Sequence, residues 1–237
     1  MARAYSSDLR TERARLNRAA VIDAAHTMFL SRGWVATTMA DVASAAGLTR
    51  QTVYQQFDGK LALLDGCIDS ALSNGLDSPV REMPDYEKMG TGTFEERLAA
   101  GAAWLRGAHE RSAAIQHVLD EAAVVDPVAA QRLSAREKTR WDENRWAAGL
   151  ILGSPPPDVV IDAMWLLTAR SVWLRFTRER GWTSEQWEQW FIAHARTELQ
   201  PRNTSPRHAP SSQLCRRKRP DCIRNCELGT NDNAAGP

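Results

Sequence analysis

Apolar residues recur three and four positions apart along nearly the whole of residues 16–200, and no run alternates apolar with polar side chains between turn signals. A chain with that spacing buries its apolar stripes by packing helix on helix, so the expected fold class is all-α. At 237 residues and 43% hydrophobic content it has ample material for a core. No stretch has the length and apolarity of a membrane-spanning helix, and charges stand in the first residues where a signal peptide needs an apolar centre. The expected location is cytoplasmic, without a membrane partner. Cys67, Cys215, Cys222 and Cys226 are too few for a disulfide framework in a chain this long.

Charge divides the chain into three regimes: residues 1–60 are net basic, 61–200 net acidic and 201–237 net basic. A basic head on an acidic body suits a protein whose first segment meets a polyanion. Residues 1–15 are charged and aperiodic and read as a flexible arm. Residues 16–60 read as a DNA-binding head and 61–200 as a helical body. Residues 201–237, rich in Pro, Ser, Asn and Arg, read as a disordered basic tail.

Helix boundaries are marked along the chain. A first helix over 16–32 stops at Gly33. Thr38 and Thr49 are N-caps for two short helices joined by Ala46, Gly47 and Leu48, the second running to about Phe57. A linker helix is expected from Lys60 toward Ser78, followed by a loop over 79–92. Thr93 with Glu96, Asp126 with Pro127, and Thr183 with Gln186 are helix starts. A further start is expected near Ile115, and Ser154 with three prolines opens an apolar helix to about Arg180.

Residues 37–64, TTMADVASAAGLTRQTVYQQFDGKLALL, carry the functional signal. Two short helices about a Gly turn have the geometry of a helix-turn-helix, whose second helix enters the major groove. Val42, Ala43, Ala46, Leu48 and Val53 form its inner face, leaving Arg50, Gln51, Thr52, Tyr54, Gln55 and Gln56 outside. Arg pairs bidentately with guanine and Gln with adenine, while Thr and Tyr hydroxyls donate to phosphate. The competing possibility is an ordinary helical corner that buries Tyr54 and Phe57 in a core.

In the order helix, Gly33, Thr37-Thr38, Val42-Ala43, Ala46-Gly47, Thr49, Thr52, Tyr54, Phe57 and Lys60, residues 18–66 resemble the TetR family of bacterial regulators. The resemblance implies phosphate contacts at Thr38, Thr49, Thr52, Tyr54 and Lys60, and groove readers at Arg50, Gln51 and Gln55. Gln51 stands where the family often has a small residue, which bears on the operator sequence read. Asp58-Gly59 replaces the usual Pro-Ser type of pair, which bears on how the linker helix is capped. The resemblance further implies operator DNA as a partner, a small apolar or cationic ligand, a homodimer, and repression relieved by that ligand. A ligand-independent architectural or adaptor protein is the alternative.

Eight of the nine tryptophans fall within residues 104–190. Large aromatics fill helical cores, and some also line apolar cavities between helices. The candidate ligand-binding residues are Trp104, His109, Gln116, His117, Trp141, Asn144 and Trp165. Val160, Met164, Leu167, Ser171 and Leu174, with Trp187, Trp190, Phe191 and His194, form another apolar surface, which either packs within the chain or, as the resemblance implies, is the candidate pairing surface for a second copy. No phosphate-binding glycine loop, nucleophile elbow or two-histidine metal motif occurs. The expectation is a non-enzyme without cofactor or metal. His117 and Glu121 read as a solvated pair, and Cys215, Cys222 and Cys226 lack regular zinc spacing.

Overall fold

The computed structural model describes residues 2–76 and 79–200, with side chains from residue 9 onward. The tail over 201–237, including its three cysteines and the run Arg216 to Arg219, lies outside the described residues. All regular elements among the described residues are helical, in agreement with the periodicity. Helix α1 spans Ala2–Ala36, α2 Met39–Ala45, α3 Arg50–Tyr54 and α4 Lys60–Leu72. Short α5, Pro84–Glu87, lies between two single 3-10 turns. The long pair α6, Phe94–Val125, and α7, Pro127–Leu152, is followed by α8, Asp158–Leu167, α9, Arg170–Leu174, and α10, Ser184–Leu199.

The start signals act through their side chains. Thr93 and Glu96 form a reciprocal capping box at α6, as do Thr183 and Gln186 at α10. Asp126 accepts from the Val128 and Ala129 N–H groups ahead of α7, with Pro127 in the first turn, where its missing N–H costs nothing. Each such cap contributes about 1 kcal/mol by satisfying donors that the helix cannot.

Five expectations differ from the structure. Residues 2–15 continue α1 rather than forming an arm, helped by helix-favouring Ala, Leu and Arg and by the Glu12–Arg15 pair at 2.7 Å. The break expected before Ile115 is absent: no Gly, Pro or cap punctuates residues 108–115, and α6 runs through. The linker helix α4 stops at Leu72, and Asn74 and Gly75 turn the chain with positive φ. The apolar helix expected to reach Arg180 breaks at Thr168. There the hydroxyl has the Met164 carbonyl and the Asn144 side chain as local partners. Residues 79–92, expected as loop, contain α5 and its flanking turns.

Met1–Pro201 is one compact unit with two apolar cores. The first joins α1 to α4 through Val21, Phe29, Val42, Val53, Leu64 and Ile68, and draws in Ile115, Val118, Leu119 and Ala122 from the C-terminal half of α6. The second gathers the remaining helices around Trp173, Trp187 and Phe191. Gly101 permits a close α6–α7 approach, since a Cβ there would sit 3.1 Å from Ile151 Cδ1. Helix α6 therefore belongs to both cores and ties head to body. Cys67 is fully buried in the first core, where burial pushes its thiol up to about 12 and leaves it unreactive.

Candidate nucleic-acid interface and body cavity

The turn between α2 and α3 is closed by the backbone. Gly47 takes φ 67°, a left-handed conformation, and the Leu48 N–H donates to the Ala43 carbonyl at 2.9 Å. Thr38 caps α2: its Oγ1 accepts from the Asp41 N–H at 3.2 Å and donates to the Asp41 carboxylate at 2.8 Å. Thr49 caps α3 by accepting from the Thr52 N–H at 3.1 Å, with the two hydroxyls 2.9 Å apart. These threonines fix the helix starts and remain surface-accessible, Thr38 and Thr49 more so than half-buried Thr52.

Val53 is fully buried and pins α3 to the head, so the opposite face must point outward. Arg50, Gln51, Tyr54 and Gln55 are exposed there. Tyr54 and Phe57, which a plain helical corner would bury together, separate: Tyr54 is 56% exposed and Phe57 4%. The Arg18 guanidinium covers the Phe57 ring at 4.3 Å and donates to the Gln56 carbonyl at 3.3 Å, holding the end of α3 against α1. Lys60 takes a different position from an outward phosphate contact. Its ammonium donates to the Trp34 carbonyl at 2.8 Å and the Thr37 carbonyl at 3.1 Å, bracing the segment that leads into α2. Desolvation holds its pKa below the usual lysine range. Gly59 precedes α4 with φ 93° and supplies no side-chain cap.

A cavity of about 760 Å³ opens in the body between α4, α6, α7 and the helices that follow. Four of the seven candidate residues line it: Trp104, His109, Gln116 and Asn144. His117, Trp141 and Trp165 do not. Each stands one residue, about 100° around its helix, from a lining residue (Gln116, Arg140 and Met164), which turns it to another face. His117 is half exposed beside Asp120 at 3.3 Å. The Trp141 indole donates to Asp162 at 2.9 Å, and Trp165 lies under Arg140 at 4.7 Å.

Sequence reasoning missed the charged side of the cavity. Arg136 of α7 pairs with Asp65 at 2.8 Å and Asp69 at 2.9 Å, both on α4, and Arg132 pairs with Asp65 as well. Arg140 and Arg170 share Glu137, Arg170 also pairs with Asp120, and Arg81 pairs with Glu143 at 2.7 Å. The spacing of Arg132, Arg136 and Arg140 by four places them on one face of α7, the only trace of this in the sequence. His109 is 6% exposed between the Trp173 and Trp187 rings, 5.4 and 5.3 Å away. Desolvation, and then the charge of Arg140, pushes its pKa down to about 3, so the ring is neutral.

On the candidate pairing surface, Met164, Trp187 and Phe191 face the body's own core. Val159 and Leu166 of α8 are exposed at 74% and 60%, and His194 is exposed on α10. No group of metal-ligating side chains occurs among the described residues, and no helix there is long and apolar enough to cross a membrane.

Residues 21–67 match the family model described as bacterial regulatory proteins, tetR family. Among curated relatives, the HTH-type transcriptional regulator TtgR of Pseudomonas putida is 42% identical over 59 residues, covering 25% of this chain and 28% of that protein. AlkX of Mycobacterium tuberculosis, another HTH-type transcriptional regulator, is 45% identical over 51 residues, 22% of this chain and 24% of its own length. The chain thus spans about a quarter of the length of the curated relatives it matches. A putative TetR-family transcriptional regulator from Rhodococcus sp. superposes with a TM-score of 0.56 at 16% identity, covering 77% of this chain and 98% of that one. A second Rhodococcus transcriptional regulator gives the same TM-score at 13% identity, over 77% and 96%. These two likenesses show a shared fold.

Proposed function

We propose that this chain, a member of the TetR family through its N-terminal segment, is a DNA-binding transcriptional regulator and not an enzyme, and that it represses by holding an operator until a small molecule releases it. The observation that carries the reading is the division of α3: Val53 fully buried, and Arg50, Gln51, Tyr54 and Gln55 exposed together on the opposite face. Arg50, Gln51 and Gln55 read base edges, and Tyr54 with the cap threonines Thr38, Thr49 and Thr52 grips phosphate. Lys60 acts by bracing the head.

The chain works in this reading as a cytoplasmic homodimer. Exposed Val159 and Leu166 belong to the pairing surface, and the symmetry sets two copies of α3 about one DNA turn apart, roughly 34 Å. A ligand in the 760 Å³ cavity favours a body conformation that shifts α4 and with it the spacing of the heads. Operator and ligand then weaken each other by one common factor.

Substitution of the outer face tests the reading. Arg50→Ala or Gln51→Ala relaxes base preference, whereas Tyr54→Phe weakens binding to every sequence alike. Unchanged affinity and preference in all three variants would overturn it.

A further inference from the structure

The lining of the body cavity restricts what can occupy it. Its charged side chains are already compensated: Asp69 by Arg136, Glu143 by Arg81, Glu137 by Arg140 and Arg170, and Arg132 by Asp65. Among the described residues, every acid and arginine on the lining already has an opposite charge within pairing distance. A charged guest would lose its hydration and have to break an existing pair.

The uncharged polar groups are mostly satisfied as well. Ser112 donates to the Ala108 carbonyl at 2.6 Å and accepts from Gln116 at 2.8 Å. Asn144 donates to the Arg140 carbonyl at 2.8 Å and accepts from Thr168 at 3.0 Å. Two buried polar atoms on the lining have no partner among the described residues: Trp104 Nε1 and His109 Nε2. The His109 ring is hydrogen-bonded to the Thr168 backbone and Nε2 is its atom without a partner, which assigns the proton to Nδ1 and leaves a lone pair on Nε2. Trp104 offers an N–H and accepts nothing. Around them Leu72, Leu105, Leu119, Leu133 and Phe191 supply apolar wall.

We infer that the cavity takes an uncharged, largely apolar molecule that carries a hydroxyl or similar group, able to donate to His109 Nε2 or to accept from Trp104 Nε1. This rests on the regulator reading above and narrows its ligand from apolar or cationic to neutral. These two orphaned atoms are the ground for the selectivity. A guest lacking the hydroxyl leaves these buried polar atoms unmet, and a guest bearing full charge competes with the ion pairs of the described lining residues.

Calorimetric titration of the full chain with four matched probes tests this near neutral pH: para-phenylbenzyl alcohol, para-phenylbenzylammonium, para-phenylbenzoate and para-methylbiphenyl. The alcohol is expected to bind at least about tenfold more tightly than either ion, and about three- to tenfold more tightly than the methyl compound. His109→Phe erases the preference for alcohol over methyl, and His109→Gln, which keeps an acceptor, retains it. Trp104→Phe, which keeps an aromatic ring without the N–H, also reduces it, and so reads the hydroxyl preference independently if His109→Phe does not fold. Either ion binding as tightly as the alcohol, or an undiminished alcohol preference in both Phe variants, would overturn the inference and leave the cavity as a ligand site. Binding of none of the four would remove the cavity as a site, and the ligand-sensing part of the regulator reading with it.

Discussion

The Lys60 ammonium lies 4.2 Å from the centroid of the Trp34 ring and donates at 2.8 Å to that residue's own carbonyl oxygen. One side chain at the start of α4 thereby fastens the end of α1, and through the Thr37 carbonyl the entry to α2. The helix that leaves the head for the body and the helix that precedes the recognition turn share one anchor.

Lys60→Met is expected to lower the stability of the chain by about 1–2 kcal/mol through loss of these two hydrogen bonds and the ring contact. At this size that is a fall in Tm of roughly 2–4 °C per kcal/mol. Thermal melts separate the roles: a lysine that only touched phosphate would leave Tm unchanged while weakening DNA binding.

Asp65 ties α4 to Arg132 and Arg136 on the cavity wall with its carboxylate largely buried. Asp65→Asn is expected to destabilise by about 1–3 kcal/mol, below the figure for a fully buried pair because both arginines are partly exposed. It should also uncouple the sites. Ligand still enters the cavity, but the ratio of operator affinities with and without ligand falls toward one. Titration of operator at fixed ligand measures that ratio, and an unaltered ratio would place the coupling elsewhere.

His109 predicts a pH dependence. Its folded pKa of about 3 lies below the ordinary histidine value, so the unfolded chain binds a proton that the folded chain refuses. The stability this residue contributes is whole above about pH 6.5 and is lost as pH falls from there toward 3, at up to about 1.4 kcal/mol per pH unit. Denaturant unfolding of the wild type and His109→Gln between pH 7 and 4.5 should show a shallower loss in the variant, by roughly that slope. Parallel curves would mean that His109 is not kept neutral by the fold.

Sequence and structure agree most closely where one residue type does a local job. Gly47 is readable because few other residues accept φ 67°, and Thr38, Thr49, Thr93, Asp126 and Thr183 because a cap acts within three residues of itself. The cavity was only half readable. His109 and Asn144 stand out as polar residues on apolar helices, but which neighbour shares their face depends on phase, and an error of one residue turned His117, Trp141 and Trp165 away. Of the arginine pairs, only the spacing of Arg132, Arg136 and Arg140 was readable, and not their partners. Arg136 and Asp65 are 71 residues apart, and an arginine spaced for a solvated face looks the same as one spaced for a cavity wall. The continuity of α6 was hidden for a related reason, since its polar residues 110–112 resemble a break until Ser112 is seen fully buried.

Selection of bound DNA from a random pool by the full chain, at low salt and without added ligand, tests the central claim most directly. The expected result is recovery of a palindromic site with half-sites about one helical turn apart, and loss of that consensus with Arg50→Ala. Recovery of no preferred sequence by a folded protein would contradict it.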